Sequence, residues 1–97
     1  MAHFLLIYDL AHDYLERRPT PRDEHLALAR AAVARGELLT GGALDPANRA
    51  VLLFEGEDGS AAERFAAADP YVAHGLVKSW SVSRWHTVVG PLAAEPL

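Results

Sequence analysis

The sequence contains no cysteine. This excludes disulfide bonds, zinc–thiolate centres, iron–sulfur clusters and cysteine nucleophiles. Basic residues are also scarce, because nine Lys and Arg stand against thirteen Asp and Glu, for a formal net charge of −4. A nucleic-acid-binding protein needs a basic surface to hold phosphates. The charge therefore predicts a protein without a nucleic-acid partner.

Long apolar runs are missing as well. No stretch approaches the roughly 20 apolar residues of a membrane-spanning helix, and the opening Met-Ala-His-Phe lacks the basic leader of a signal peptide. We therefore predict a cytoplasmic protein with no membrane contact. The 97 residues, 51% hydrophobic and 23% charged, are typical of one globular domain. We assign that domain to residues 1–90 and a C-terminal tail with two prolines to residues 91–97.

Local patterns predict four strands. Each is a short run rich in apolar residues and bounded by turn-forming or charged residues. The predicted strands are Phe4–Tyr8, Leu38–Ala43, Ala50–Phe54 and Leu76–Val89.

Two main helices lie between these strands. Thr20 is the predicted N-cap of the first, with Pro21 in its first turn and Gly36 at its end. Its predicted core-facing residues recur at three- and four-residue spacing, and they are Leu26, Leu28, Ala29, Ala32 and Val33.

The second main helix begins with the spacing of a capping box, in which Ser60 and Glu63 bond each other's backbone amides. Asp69-Pro70 repeats a cap-then-proline signal and predicts one further helical turn, which Gly75 closes.

The resulting order, βαββαβ, predicts an α+β, ferredoxin-like fold. In this fold two main helices pack on one face of a four-stranded antiparallel sheet. The strands are too apolar for the other face to lie in water, so we predict a homodimer in which a second copy covers it.

Three segments of the chain resemble the YciI-like proteins over residues 3–89. Their most specific parts are Arg-x-x-His-Leu at Arg22–Leu26 and Asp-Pro-Tyr at Asp69–Tyr71, and the third is Gly36–Gly42. The resemblance implies a dimeric α+β barrel with an active site made from one histidine and one aspartate, here His25 and Asp69. Enzymes with related folds include muconolactone isomerases, small monooxygenases and a dehydrochlorinase of hydroxylated aromatics.

His25 and Asp69 each have a structural interpretation too. A histidine one turn inside a helix is more often a partly exposed surface residue, although imidazole is the natural acid or base near neutral pH. Asp69 has the position of a helix N-cap. Because a carboxylate has two oxygens, we expect one to cap the helix while the other accepts from the imidazole.

Four further residues are candidates for substrate binding. Arg22 could bind an anion through two parallel hydrogen bonds from its guanidinium. The alternative interpretation is that Arg22 faces solvent and binds nothing. Tyr8 and Tyr71 are expected to line a site for an aromatic molecule or else to fill the core, as are Trp80 and Trp85. Gly41 and Gly42 follow a strand rather than opening a helix, which excludes a phosphate loop. We expect the pair to allow close approach of the backbone at the mouth of a pocket, with Gly42 as the candidate binding residue.

No metal or cofactor is expected. The cluster of Asp9, His12 and Asp13 has suitable donor atoms, but carboxylates in loops are more often simply solvated. The sequence has no nucleotide-binding or zinc-protease motif. His74 is the remaining polar residue of note, and it is expected to alter the polarity of the pocket.

These residues predict a small enzyme that performs cofactor-free acid–base chemistry on a small polar or aromatic molecule. Isomerisation, elimination and dehydrohalogenation are the reaction types, with His25 moving the proton and Asp69 orienting it. The alternatives are a non-catalytic ligand-binding or regulatory module with the same cavity, and an accessory subunit with a vestigial pocket. A ring nitrogen of His25 within about 3.2 Å of an Asp69 oxygen beside an enclosed cavity favours the enzyme.

Overall fold

A computed structural model describes all residues from Met1 to Leu97 and contains one antiparallel sheet. Its strand order is β2-β3-β1-β4. The elements in chain order are β1 (Ala2–Leu10), α1 (Tyr14–Arg17), α2 (Arg22–Ala34), β2 (Leu38–Ala43), β3 (Arg49–Gly56), α3 (Ser60–Ala68), α4 (Pro70–Ala73) and β4 (Val77–Trp85). The predicted ferredoxin-like α+β fold is confirmed, with α2 and α3 as the two main helices.

The last strand is shorter than predicted. β4 ends at Trp85 rather than Val89, because its partner β1 begins at Ala2 and pairs His3 with Trp85. The register of the two strands shifts between Asp9 and Leu10, at the opposite end of the pairing. The extra residue at this irregularity is Lys78 of β4, which lies between Val77, the partner of Leu10, and Ser79, the partner of Asp9.

The core lies between the helices and one face of the sheet. Alternate residues of β1, namely Phe4, Leu6, Tyr8 and Leu10, are buried on this face, as the period of two along a strand requires. They join Phe54 of β3 and Phe65 of α3 in one cluster. Complete burial of a large apolar side chain contributes about 1.5–3 kcal/mol, so each of these residues stabilises the fold substantially.

The beginning of α2 differs from the prediction. Thr20 does not cap the helix, since the flanking position is taken by Pro21, which supplies no side-chain hydrogen bond. The Thr20 amide instead donates to the carbonyl of Arg17 and belongs to the turn that follows α1. The predicted end is correct, because Gly36 adopts a left-handed φ of +77°, which glycine tolerates best.

The apolar face of α2 is also used differently from the prediction. Only Ala32 is fully buried, with Leu28 and Ala29 packed at the edge of the core. Val33 is 53% exposed. The side of the helix that carries Val33 lines a cavity rather than the core.

The predicted capping box of α3 is wrong. Gly59 occupies the capping position, and neither Ser60 nor Glu63 makes a side-chain cap. Asp58, one residue before Gly59, provides the cap instead, because its Oδ1 accepts from the Ser60 amide at 2.9 Å. Hydrogen bonds from Ser60, first from its hydroxyl and then from its amide, lower the pKa of the Asp58 carboxyl below its usual value.

The C-terminal tail folds back towards the end of β4. Glu95 accepts hydrogen bonds from Arg84 at 3.1 Å and from His86 at 2.7 Å, and the bond from His86 is the main cause of a lowered pKa for Glu95. The Thr87 hydroxyl lies 2.8 Å from Nδ1 of His3, a buried residue of β1.

No helix of the structure is long and apolar enough to cross a membrane.

Candidate active site

Asp69 lies at the junction of α3 and α4 and is 1% exposed. Its Oδ1 accepts from the Tyr71 amide at 3.0 Å, which confirms the predicted helix cap. The same oxygen lies 2.8 Å from Nδ1 of His25. Its Oδ2 accepts from the Tyr8 hydroxyl at 2.7 Å. The buried carboxylate therefore has three partners, as burial of such a polar group requires.

This arrangement corrects one detail of the prediction. The cap and the imidazole share Oδ1, whereas two separate oxygens were expected. Oδ2 is held by Tyr8, which was predicted only as a lining residue. Two elements, β1 and α2, thus fix the carboxylate from opposite sides.

His25 lies one turn inside α2, and its side chain is 14% exposed. Its ring stacks on Tyr71, with centroids 3.8 Å apart and planes at 6°, and meets Phe65 edge-on with centroids 6.2 Å apart. Because a carboxylate only accepts hydrogen bonds, its contact with Asp69 places the ring hydrogen on Nδ1. Nε2 then carries the lone pair and makes no hydrogen bond within the protein.

Burial raises the pKa of the Tyr8 hydroxyl far above its usual value, and the neighbouring charge of Asp69 adds to this effect. Ionisation would place a second negative charge against the buried carboxylate. Tyr8 is therefore a fixed hydrogen-bond donor to Asp69.

A cavity of about 290 Å³ opens beside His25. It lies between α2 and the sheet, and most of its lining is apolar. One side of α2 contributes residues at helical spacing, namely Arg22, His25, Leu26, Ala29, Arg30 and Val33. The opposite wall comes from β1, β2 and β3 and includes Tyr8, Leu10, Leu38, Gly41, Gly42, Ala50 and Leu52.

The two glycines of β2 differ in their surroundings. A Cβ on Gly41 would lie 2.9 Å from Cγ of Leu52, a cavity-lining side chain, whereas a Cβ on Gly42 would meet nothing within 4 Å. Gly42 lies on the cavity wall, as the sequence suggested, but Gly41 is the position that requires glycine.

The hydroxyl of Tyr71 is the one buried side-chain polar group whose hydrogen reaches no acceptor in the protein. The residue is 3% exposed and lines the cavity. Burial raises the pKa of this hydroxyl and Tyr14 adds to the rise, whereas the charges of Arg22 and Arg18 and a side-chain hydrogen bond from Arg22 act against it.

Residues 1–86 match the family model described as the YCII-related domain. The chain belongs to the YCII-related family. No curated protein matches the sequence.

Several solved structures share the fold of this YCII-related chain. The 5-chloro-2-hydroxyhydroquinone dehydrochlorinase of Burkholderia phenoliruptrix, solved in complex with 2,5-dihydroxybenzoquinone, has a TM-score of 0.70 and 24% identity, covering 86% of this chain and 92% of that one. A NIPSNAP family protein of Agrobacterium tumefaciens has a TM-score of 0.58 and 15% identity, with 95% of each chain covered. Acylphosphatase from Bacillus subtilis has a TM-score of 0.57 and 19% identity, covering 93% of this chain and 91% of that one. At these identities the likeness shows the fold alone.

Some predicted candidates lie away from the cavity of this YCII-related protein. Trp80 and Trp85 are 38% and 47% exposed and do not line it. His74 does not line it either, and its carbonyl accepts from Arg17 beside α1. The expected influence of His74 on the polarity of the pocket is therefore wrong.

The cluster at the end of β1 is held in ion pairs. Asp9 accepts from Ser79 at 2.9 Å and lies 3.3 Å from Arg49, while Asp13 lies 3.5 Å from Arg17. The structure groups no three His, Asp or Glu residues as ligands for a metal ion.

Sequence reasoning missed two of the three arginines that line the cavity, Arg18 and Arg30. Arg30 could have been found from the sequence, because it lies four positions after Leu26 and eight after Arg22, on the same side of α2. Arg18 belongs to the Leu15–Arg18 run that also resembles the YciI-like proteins, but only tertiary folding brings the end of α1 to this cavity.

Proposed function

We propose that the protein is a small-molecule enzyme in which His25 acts as general acid and base and Asp69 is its positioning residue. The observation that carries the proposal is the 2.8 Å contact between Nδ1 of His25 and Oδ1 of Asp69, with the ring at the wall of a mostly apolar cavity. A carboxylate bonded to one ring nitrogen fixes the tautomer and leaves the other nitrogen for chemistry.

In the proposed reaction, the Nε2 lone pair takes a proton from an acidic C–H or O–H of the substrate. The electron pair of the broken bond moves into the substrate, where it forms a new double bond. In an isomerisation, the imidazolium returns the proton to another atom; in an elimination, a leaving group departs with its bonding electrons. Asp69 stabilises the transient imidazolium charge, and Tyr8 and the Tyr71 amide keep its carboxylate in place.

The size of the cavity supports a compact substrate. Its volume of about 290 Å³ is at the lower end of the range for small-molecule sites, about 300–1,000 Å³. The dehydrochlorinase from Burkholderia phenoliruptrix, which has the same fold, binds the single-ring 2,5-dihydroxybenzoquinone. We therefore propose a single-ring or similarly small substrate, and dehydrohalogenation as one reaction type.

The contacts of Asp69 also favour a second candidate, a ligand-binding module. Capping α4 and bonding Tyr8 give Asp69 a structural role that needs no catalysis. In that case His25 would contribute only shape and polarity to the cavity wall.

Two measurements test the enzyme proposal. Nitrogen-15 NMR of the His25 ring should show hydrogen on Nδ1 and a free Nε2; hydrogen on Nε2 alone would contradict the proposed role. Chloride release from 5-chloro-2-hydroxyhydroquinone is the activity probe. It should be lost in His25→Gln and retained in Arg35→Gln, which changes the same helix away from the cavity. Equal chloride release by wild type and His25→Gln would favour the module.

We also propose that the protein works as a homodimer. The sheet face opposite the helices carries half-buried Leu5, Ile7 and Val51 beside Trp85, which is 47% exposed. An apolar sheet face of this kind is typically covered by another layer. The cytoplasmic location stays a prediction from the sequence.

A further inference from the structure

Three guanidinium groups line the cavity, although the protein as a whole is acidic. Arg18, Arg22 and Arg30 contribute to the wall, and no aspartate, glutamate or lysine does. The formal net charge of the chain is −4. The cavity is therefore positively charged, although the chain as a whole is negatively charged.

None of these three arginines has a carboxylate partner. Five other arginines do, and they are Arg17, Arg35, Arg49, Arg64 and Arg84. The guanidinium of Arg18 lies over the Tyr14 ring, at 5.5 Å from its centroid, and the guanidinium of Arg22 lies within hydrogen-bonding reach of the Tyr71 hydroxyl. Asp69, the carboxylate that contacts His25, has both oxygens already bonded to other groups.

The Tyr71 hydroxyl is a second sign of a polar ligand. It is buried and lines the same cavity, and its hydrogen reaches no acceptor in the protein. A buried donor without an acceptor is costly, and a ligand oxygen in the cavity would accept this hydrogen. Arg22 lies close enough to this hydroxyl to lower its pKa, so both groups can contact the same polar group of a ligand.

We infer that the cavity binds a small organic acid whose carboxylate or ionised hydroxyl is held by Arg18, Arg22 and Arg30. The planar fork of arginine matches a carboxylate with two parallel hydrogen bonds. Leu10, Leu38 and Leu52 form the apolar wall for the body of the molecule. This inference names the substrate class for the proposed function and rests on it, although the binding step can be measured without any turnover.

The test is a titration with benzoate, and with benzamide as the neutral molecule of the same shape. Wild-type protein should bind benzoate at millimolar concentration or below, and benzamide at least about tenfold more weakly, as expected when a charge-assisted hydrogen bond is lost. Added salt should weaken benzoate binding. Inorganic phosphate should bind more weakly than benzoate, because it has no apolar body.

Variants then locate the site. Arg22→Gln and Arg30→Gln should each weaken benzoate binding about tenfold, and Arg35→Gln, on the same helix but paired with Glu37, should not. Unchanged thermal midpoints would show that the variants fold. Equal affinity for benzoate and benzamide, no benzoate binding at millimolar concentration, tighter binding of phosphate, or unchanged binding in both cavity variants would each overturn the inference.

His25→Gln separates this inference from the proposed function. The variant should retain benzoate binding, because the three arginines are intact, while losing chloride release. If the protein binds benzoate but His25→Gln has no effect on turnover, the anion site is supported and the proposed catalytic role of His25 is refuted. If turnover depends on His25 but benzoate binding is unchanged in Arg22→Gln and Arg30→Gln, the proposed enzyme is supported and the anion site is refuted.

Discussion

His25 and Asp69 are 44 positions apart in the sequence, and yet Nδ1 of the histidine lies 2.8 Å from Oδ1 of the aspartate. The two are brought together by elements with other tasks: His25 belongs to the helix beside the cavity, and Asp69 caps a four-residue helix. One buried carboxylate thus links helix α2, helix α4 and, through Tyr8, the central strand β1. Its substitution should therefore affect stability as well as chemistry.

The structural part of this role predicts a graded loss of stability at Asp69. Asp69→Asn keeps an oxygen that accepts from the Tyr71 amide, and asparagine caps helices about as well as aspartate. Asp69→Ala removes the cap, at about 0.5–2 kcal/mol, and leaves Tyr8 and His25 without an acceptor, at about 1–3 kcal/mol for each buried group. Urea unfolding should rank wild type above Asn and Asn above Ala. Equal midpoints for Asn and Ala would show that the hydrogen bonds contribute little.

Tyr8 predicts how stability changes at alkaline pH. Its pKa is raised in the folded protein by burial and by Asp69, so the unfolded chain loses the proton first. The contribution of Tyr8 is complete below the ordinary tyrosine pKa of about 10 and is lost as pH rises above it. Wild-type stability should then fall more steeply above pH 10 than that of Tyr8→Phe, by up to about 1.4 kcal/mol per pH unit. Parallel curves in denaturant titrations from pH 8 to pH 11 would contradict the burial of this hydroxyl.

At neutral pH the same variant should be less stable than wild type. Tyr8→Phe removes the donor to Oδ2 of Asp69, and a buried acceptor without its partner costs about 1–3 kcal/mol. The apolar packing of the ring is retained, so the fold should persist. An unchanged unfolding midpoint at pH 7 would show that water replaces the hydroxyl.

The glycine pair provides a matched test of the cavity wall. Gly41→Ala places a Cβ 2.9 Å from Cγ of Leu52, so that Leu52 must move. Crowding of this kind costs about 1–3 kcal/mol, and it should also weaken benzoate binding. Gly42→Ala meets open space and should change neither quantity by much. Thermal unfolding and benzoate titration of the two variants check this, and equal behaviour would contradict the close approach at Gly41.

The apolar sheet face predicts a dimer in solution. Analytical ultracentrifugation at micromolar concentration should show two copies, since a standard interface buries about 1,200–2,000 Å². Val51→Lys, on that face, should shift the protein to monomer because it places a charge in the interface. Leu15→Lys, on α1 and 55% exposed, is the matched control and should not. A wild-type protein that sediments only as a monomer would refute the proposed dimer.

The sequence by itself determined the four strands, the two main helices and their order, but not the short helix α1. Gly36 and the Asp69-Pro70 pair mark helix boundaries that the structure confirms, because these signals act within a few residues of the chain. The same local logic failed by one or two positions at the other helix starts: Asp58 took the role predicted for Ser60, and Pro21, which makes no side-chain cap, stands where Thr20 was predicted. Asp58 and Ser60 have similar capping ability, and their difference in energy is too small for sequence alone to choose between them.

Only the tertiary structure decided which residues come together in the site. The motifs around His25 and Asp69 resembled a known family, but the hydroxyl of Tyr8 reaches Asp69 across 61 positions of sequence, and no local pattern encodes that contact. Val33 looked like a core residue and instead lines the cavity, and Arg18 enters the same wall from a separate helix. Helical periodicity tells which residues share a side of α2. Whether that side meets the core, the solvent or a ligand depends on how far the packing of the other elements holds the helix from the sheet.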